Sequence, residues 1–175
     1  MPGHHLQIAR AAEIEGLNPW RSQANFNAAY AEGWALYAEQ LGYAIGFFKD
    51  PYQRYGQLQA QLFRAARLVV DTGIHAENWP RGKAIAYMSE QGGLDKDFAV
   101  SEVDRYFSTP GQALSYLLGY RKISELRARA ESALGARFDV KDFHAVLIDN
   151  GSMPLAVLEK IVDEWIARGG GANNP

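Results

Sequence analysis

Residues 25–47, NFNAAYAEGWALYAEQLGYAIGF, constrain this chain more than any other stretch, because their apolar side chains run nearly all round a helix that carries Glu32 at its middle. Phe26, Tyr30, Trp34, Tyr37, Leu41 and Ile45 recur at helical spacing as one stripe, while Ala28, Ala29, Leu36 and Tyr43 cover the neighbouring face. A helix covered in this way belongs inside. Gly33, next to the acid, lets another backbone approach, so the carboxylate is expected to face protein rather than water. A buried carboxylate is too costly to leave unmatched, so it must be protonated, paired with Arg or Lys, or bound to a metal. On this helix alone the internal ion pair is the commoner outcome.

Upstream, Pro2-Gly3-His4-His5-Leu6-Gln7 opens a second helical pattern through Ile8, Ala11, Ala12 and Ile14. A turn at Gly16-Leu17-Asn18-Pro19 followed by a long antiparallel helix could bring His4 or His5 opposite Glu32, and imidazole nitrogen with carboxylate oxygen is a suitable zinc donor set. Two adjacent histidines are equally consistent with an exposed pair at a helix end.

The rest of the chain reads helix after helix, with threonine occurring only twice among 175 residues, which predicts an all-α fold of about eight helices with two long antiparallel ones at its centre. Asp50-Pro51 starts a third helix expected over residues 52–75, with Asp71 placed either to touch His75 and fix its tautomer or to pair with Arg64 or Arg67 while His75 only helps finish the helix. Asn78-Trp79-Pro80 starts a fourth, with Trp79 as a packing anchor, and Gly92-Gly93 stops it. A short helix follows Ser101. Thr109-Pro110-Gly111-Gln112 has the pattern of a capping box, which predicts that the next helix begins there and runs to about Leu134, putting Gln112, Tyr116 and Tyr120 on one face. That row could hold a substrate or an oxyanion, or be core tyrosines with wet hydroxyls. The run from Arg121 to Arg129 reads as a solvated face with internal ion pairs, and His144 as a packing residue. Asp139 and Pro154 begin the last two helices. One helical domain over residues 1–168 and a flexible tail over 169–175 are expected.

A formal net charge of −2 gives no bulk electrostatic case for nucleic acid, and no stretch is apolar enough to span a bilayer. The absence of cysteine excludes disulfides and leaves the compartment open. The abrupt start at Pro2-Gly3 reads as an internal cut, so any export signal would lie upstream.

Taken in order, PGHHLQ, EGWALYAEQLG, RAARLVVDTGIH, EVDRYFSTPGQALSY, LGARFDVKDFH and NGSMPL resemble the bacterial domain-of-unknown-function family 885. That family is similar to the helical gluzincin zinc peptidases, such as carboxypeptidase Taq and angiotensin-converting enzyme. The resemblance implies a C-terminal, site-bearing portion of a larger helical metallopeptidase-like fold acting on short peptides with one zinc ion. Its metal motif is His-Glu-x-x-Pro-Gly-His followed by the glutamate of Glu-Gly-Trp-Ala, which implies His4 and Glu32 as zinc ligands, with His5 the poorer candidate. The upstream His-Glu pair, a further ligand and the general base, is missing, so this chain is expected to be inactive without the N-terminal segment that supplies it. By analogy of position Tyr116, supported by Gln112, contacts the carbonyl or oxyanion, and His75 the substrate or a metal-bound group. Leu117-Leu118 stands where relatives often carry a basic residue, so a lysine contact to a substrate carboxylate is not carried over. The competing expectation is a non-catalytic helical pseudo-enzyme or partner-binding scaffold that dimerises through exposed apolar surface.

Overall fold

The computed structural model describes residues 3–24 and 27–171. Phe26, Pro2 and tail residues 172–175 lie outside the described residues. Among the described residues the chain is all helical: α1 (His4–Glu13), a π-helical turn (Trp20–Ala24), α2 (Ala28–Ala44), α3 (Pro51–Glu77), α4 (Arg81–Glu90), α5 (Lys96–Ser108), α6 (Ser115–Leu134), α7 (Val140–Ile148) and α8 (Leu155–Ala167). Short 3-10 turns at Gln112–Leu114 and Gly135–Arg137 flank α6. No helix among the described residues is long and apolar enough to cross a membrane.

Contacts divide the chain into two compact units, residues 1–40 with 118–175 and residues 41–117. In the first unit Tyr30, Trp34 and Tyr37 of α2 are buried, as are Ile123 and Leu126 of α6, Phe143 and Leu147 of α7, and Leu158 and Trp165 of α8. Gly33 permits a close crossing. A Cβ there would stand 2.5 Å from the backbone of Gly119, and one on Gly119 would collide with the carbonyl of Ala29. Arg10 of α1 forks onto Asp149 with two bonds of 2.9 Å, tying the first helix to the end of α7. The charged run on α6 pairs within itself, Arg127 with Glu131 and Arg129 with Glu125, and also reaches α8 through Arg129 to Glu159 and Asp163.

The second unit packs α3, α4 and α5 around Val70, Ile74, Met88, Val103 and Tyr106. Asp50 accepts from Gln53 N–H at 2.9 Å with Pro51 in the first turn, and Asn78 in the left-handed region closes α3. Trp79 is the anchor its position suggested: its ring lies against Gly73, where a Cβ would meet it at 2.5 Å.

Several expected boundaries move. α2 ends at Ala44, so Ile45 and Phe47 lie past the helix and are exposed rather than part of the buried stripe. α5 begins at Lys96 instead of after Ser101, because Asp95 caps it by accepting from Phe98 N–H at 3.0 Å. Thr109 closes α5 rather than opening α6: its N–H and its hydroxyl both donate to the Arg105 carbonyl. Gly111 sits at φ 79°, which an α-helical second position does not allow, and α6 starts only at Ser115.

Candidate metal centre

His4 is the second described residue of the chain and the first of α1, where a helix start leaves its side chain free to swing toward α2. Trp34 fixes the approach, donating its indole N–H to the Gly3 carbonyl at 3.2 Å from two residues beyond Glu32. The result is a pair: His4 Nε2 stands 3.1 Å from Glu32 Oε2. The Glu32 side chain is 13% exposed and that of His4 44%, so the acid is sheltered and the imidazole forms the open side. The other ring nitrogen, Nδ1, faces Gln7 Oε1 at 3.4 Å. An amide oxygen and a carboxylate both accept, so each contact calls for hydrogen on the ring nitrogen that makes it, and a metal ion on Nε2 would stand in for the second of those protons. His5, the neighbouring imidazole, is exposed.

A metal fits the pair in kind and in spacing. Nitrogen and oxygen donors about 2.0–2.1 Å from one zinc ion at a tetrahedral angle are separated by about 3.3–3.4 Å, within a few tenths of the separation found here. It does not fit in number. No group of three or more His, Cys, Asp or Glu able to hold a metal occurs among the described residues, so two donors stand where zinc takes three or four. Gln7 occupies the position from which an outer partner orients a ligating histidine.

Gln112, Tyr116 and His75 belong to the second unit. Gln112 and Tyr116 are brought together across the 3-10 turn and the start of α6, the amide nitrogen donating to the phenol at 3.4 Å. Gln112 Oε1 accepts from Arg67 at 3.1 Å and from Arg105 at 3.0 Å, and the Arg67 guanidinium lies 4.3 Å from the centre of the Tyr116 ring. Glu102 completes this cluster. Burial pushes its carboxyl up, but hydrogen bonds from Arg105 and Tyr106 and the charges of Arg105 and Arg67 outweigh burial and hold it below the usual range. Asp71 and His75 do not join as expected. Asp71 takes the Gly111 N–H on both oxygens, at 3.1 and 3.2 Å, while His75 Nε2 donates to the Tyr106 carbonyl at 3.0 Å. Tyr120 follows Tyr116 by about one turn of α6 and shares its face, while Gln112 stands ahead of that helix in the 3-10 turn.

The profile of a bacterial protein family of unknown function, DUF885, matches residues 1–162. The chain belongs to that family. Among solved structures, DUF885 residues here superpose on the "putative lipoprotein" of Colwellia psychrerythraea with a TM-score of 0.91 and 49% identity, over 95% of this chain and 28% of that one. The "putative lipoprotein of unknown function" of Shewanella oneidensis follows with a TM-score of 0.82 and 26% identity, over 92% of this chain and 29% of that one. This chain therefore spans under a third of the length of either solved protein. A search of curated proteins returns no match.

Sequence reasoning missed two residues near the pair. Gln7 was quoted in its motif without a role, although a spacing of three from His4 places both on one helix face. Arg21 carried no signal at all, since it belongs to no repeat and its neighbours come from three other segments.

Proposed function

We propose that this DUF885 chain supplies two ligands of a zinc site, His4 Nε2 and Glu32 Oε2, in a hydrolase of the gluzincin type acting on short peptides. The observation that carries the reading is the 3.1 Å approach of those two atoms, with Nδ1 engaged by Gln7. Zinc bound there supplies a Lewis acid for the peptide carbonyl and an acidified water. The chain's own residues do the holding. Gln7 keeps the ring turned, and the shelter of Glu32 excludes competing water from its oxygen. The remaining ligand and the general base are assigned, as the family resemblance implies, to the part of such proteins outside this chain. Tyr116 and Gln112 are carried as substrate contacts on their own chemistry: a phenol O–H can donate to a developing oxyanion and Gln112 orients the phenol, while His75, whose Nε2 hydrogen is spent on the Tyr106 carbonyl, is carried as a positioning group.

Zinc titration of the 175-residue chain by calorimetry tests the ligand assignment. Binding is expected to be weak, lost in His4→Ala and Glu32→Gln, and retained in His5→Ala. Uptake indifferent to both ligand substitutions ends the metal reading. In a protein of the relatives' full length, Tyr116→Phe is expected to lower kcat with little change in KM.

A partner-binding scaffold is the second reading, favoured by one observation. Tyr52, Tyr55, Leu58 and Leu62 form an outward stripe along the first half of α3, each at least 46% exposed. The occupant this reading commits to is a second copy of the chain.

A further inference from the structure

A cavity of about 340 Å³ opens beside His4 in the first unit, walled by α1, the π-helical turn, α2 and the segment before α8. That volume is at the small end of ligand sites, enough for one or two amino-acid residues. Its walls are apolar at Ile8, Ala11 and Ala31, and the cation among them is Arg21. Two acids of the same unit are already engaged: Asp149 holds Arg10 in a two-bond fork, and Glu32 faces His4. Tyr30, also in the wall, adds no negative charge, because burial raises its phenol to about 12 and its hydroxyl is spent on the Leu147 carbonyl at 2.9 Å.

The backbone of Arg21 is held in place. The Ser152 N–H donates to the Arg21 carbonyl at 3.0 Å, and Gly151 at φ 69° lets that segment lie on the arginine backbone, where a Cβ would stand 3.0 Å from the Arg21 carbonyl oxygen. Ser152 Oγ accepts from the Asn27 N–H at 2.9 Å, so its own hydrogen is available to a ligand. Among the described residues no carboxylate pairs with the Arg21 guanidinium. Behind the wall, Gln7 is 5% exposed and its Nε2 has no hydrogen-bond partner among the described residues, a further donor withdrawn from water at the same place.

We propose that this cavity is a carboxylate subsite: Arg21, with the Ser152 hydroxyl, receives the carboxylate of a short peptide whose side chain fills the apolar pocket next to the His4–Glu32 pair. The inference deepens the zinc-peptidase reading and rests on it for the placement of the scissile bond, but binding at Arg21 needs no metal. A planar guanidinium in a mostly apolar recess favours a carboxylate over a neutral amide. The source of the carboxylate is either a free peptide C-terminus or an acidic side chain.

The test is an NMR titration of the chelator-treated chain with three tripeptides of leucine and alanine: one with a free C-terminus, one amidated, and one amidated with glutamate at the last position. The free acid is expected to bind at least about tenfold more tightly than the neutral amide. Arg21→Gln should abolish that difference, and Arg21→Lys should retain part of it. Equal binding of the amidated glutamate peptide and the free acid supports the subsite and names the side chain as the source. Equal affinities for the free acid and the neutral amide overturn the proposal, as does a preference that survives in Arg21→Gln, or no binding of any peptide. The amidation comparison needs no variant and so does not depend on one folding. Zinc titration of the same preparation separates the two readings. Arg21-dependent binding together with zinc uptake indifferent to His4→Ala and Glu32→Gln leaves the subsite standing and ends the peptidase, whereas zinc uptake lost in those variants, without carboxylate preference, does the reverse.

Discussion

Tyr37 shows how one buried hydroxyl settles the state of a histidine. Its Oη accepts from Arg127 at 3.0 Å and is 2.9 Å from His144 Nε2. With one contact already accepted from the guanidinium, the phenol donates its hydrogen to a neutral imidazole. Burial first, and the Arg127 charge second, lower His144 to about 4. The sign of the pH effect follows. Below the ordinary histidine value near 6.5 the unfolded chain takes up a proton that the folded chain refuses until about pH 4, so stability falls as pH is lowered through that window. His144→Phe is expected to flatten this part of the urea-unfolding profile, while costing about 1–3 kcal/mol at neutral pH because the Tyr37 hydrogen loses its acceptor. An unchanged slope between pH 6.5 and 4 would count against the neutral buried state. The sequence already marked His144 as structural, since it lies among Phe143 and Leu147. The approach of His4 to Glu32 was legible for a different reason: a helix start, a turn and a returning helix have few ways to join. Arg21 was not legible, because a cavity wall drawn from four segments leaves no spacing to read.

Element boundaries were legible where one residue has one chemical use and obscure where it has two. Asp50-Pro51 can do little except begin a helix, and it does. Thr109-Pro110-Gly111-Gln112 offers the pattern of a cap, but Asp71 lies within reach of the Gly111 N–H and the two arginines claim the Gln112 oxygen, so tertiary partners decide. The crossing of α2 and α6 is the converse case, a contact announced by Gly33 itself. Gly33→Ala and Gly119→Ala are each expected to destabilise the chain by about 1–3 kcal/mol or more, because each new methyl meets backbone that no side-chain rotation can clear. The double variant should cost less than the sum, since one separation of the helices relieves both clashes. Gly56, inside α3 with nothing near its would-be Cβ, is the control: Gly56→Ala is expected to stabilise by about 0.5–1 kcal/mol. Denaturant midpoints of the four variants check the set, and a stabilising Gly119→Ala would refute the close crossing.

At the scale of the molecule, each compact unit buries apolar side chains, yet Tyr52, Tyr55, Leu58 and Leu62 in the first half of α3 stay exposed. Tyr52 is 87% exposed, Tyr55 66%, Leu58 48% and Leu62 46%, at spacings of three, three and four that keep them on one helix face. Periodicity in the sequence tells which residues share a face and not what covers it. A net charge of only −2 over 175 residues offers little repulsion between copies. The chain is therefore expected to self-associate as its concentration rises. Hydrophobic burial drives the association, so added salt should leave it unweakened. Replacing Leu58 and Leu62 together by lysine puts charges at the centre of the stripe without touching either core, and should keep the chain monomeric in sedimentation velocity with its helical circular dichroism unchanged. A wild-type chain that stays monomeric at every concentration, or a double variant that associates equally well, would mean that the stripe is not an interface between copies, and the scaffold reading would lose the observation that favours it.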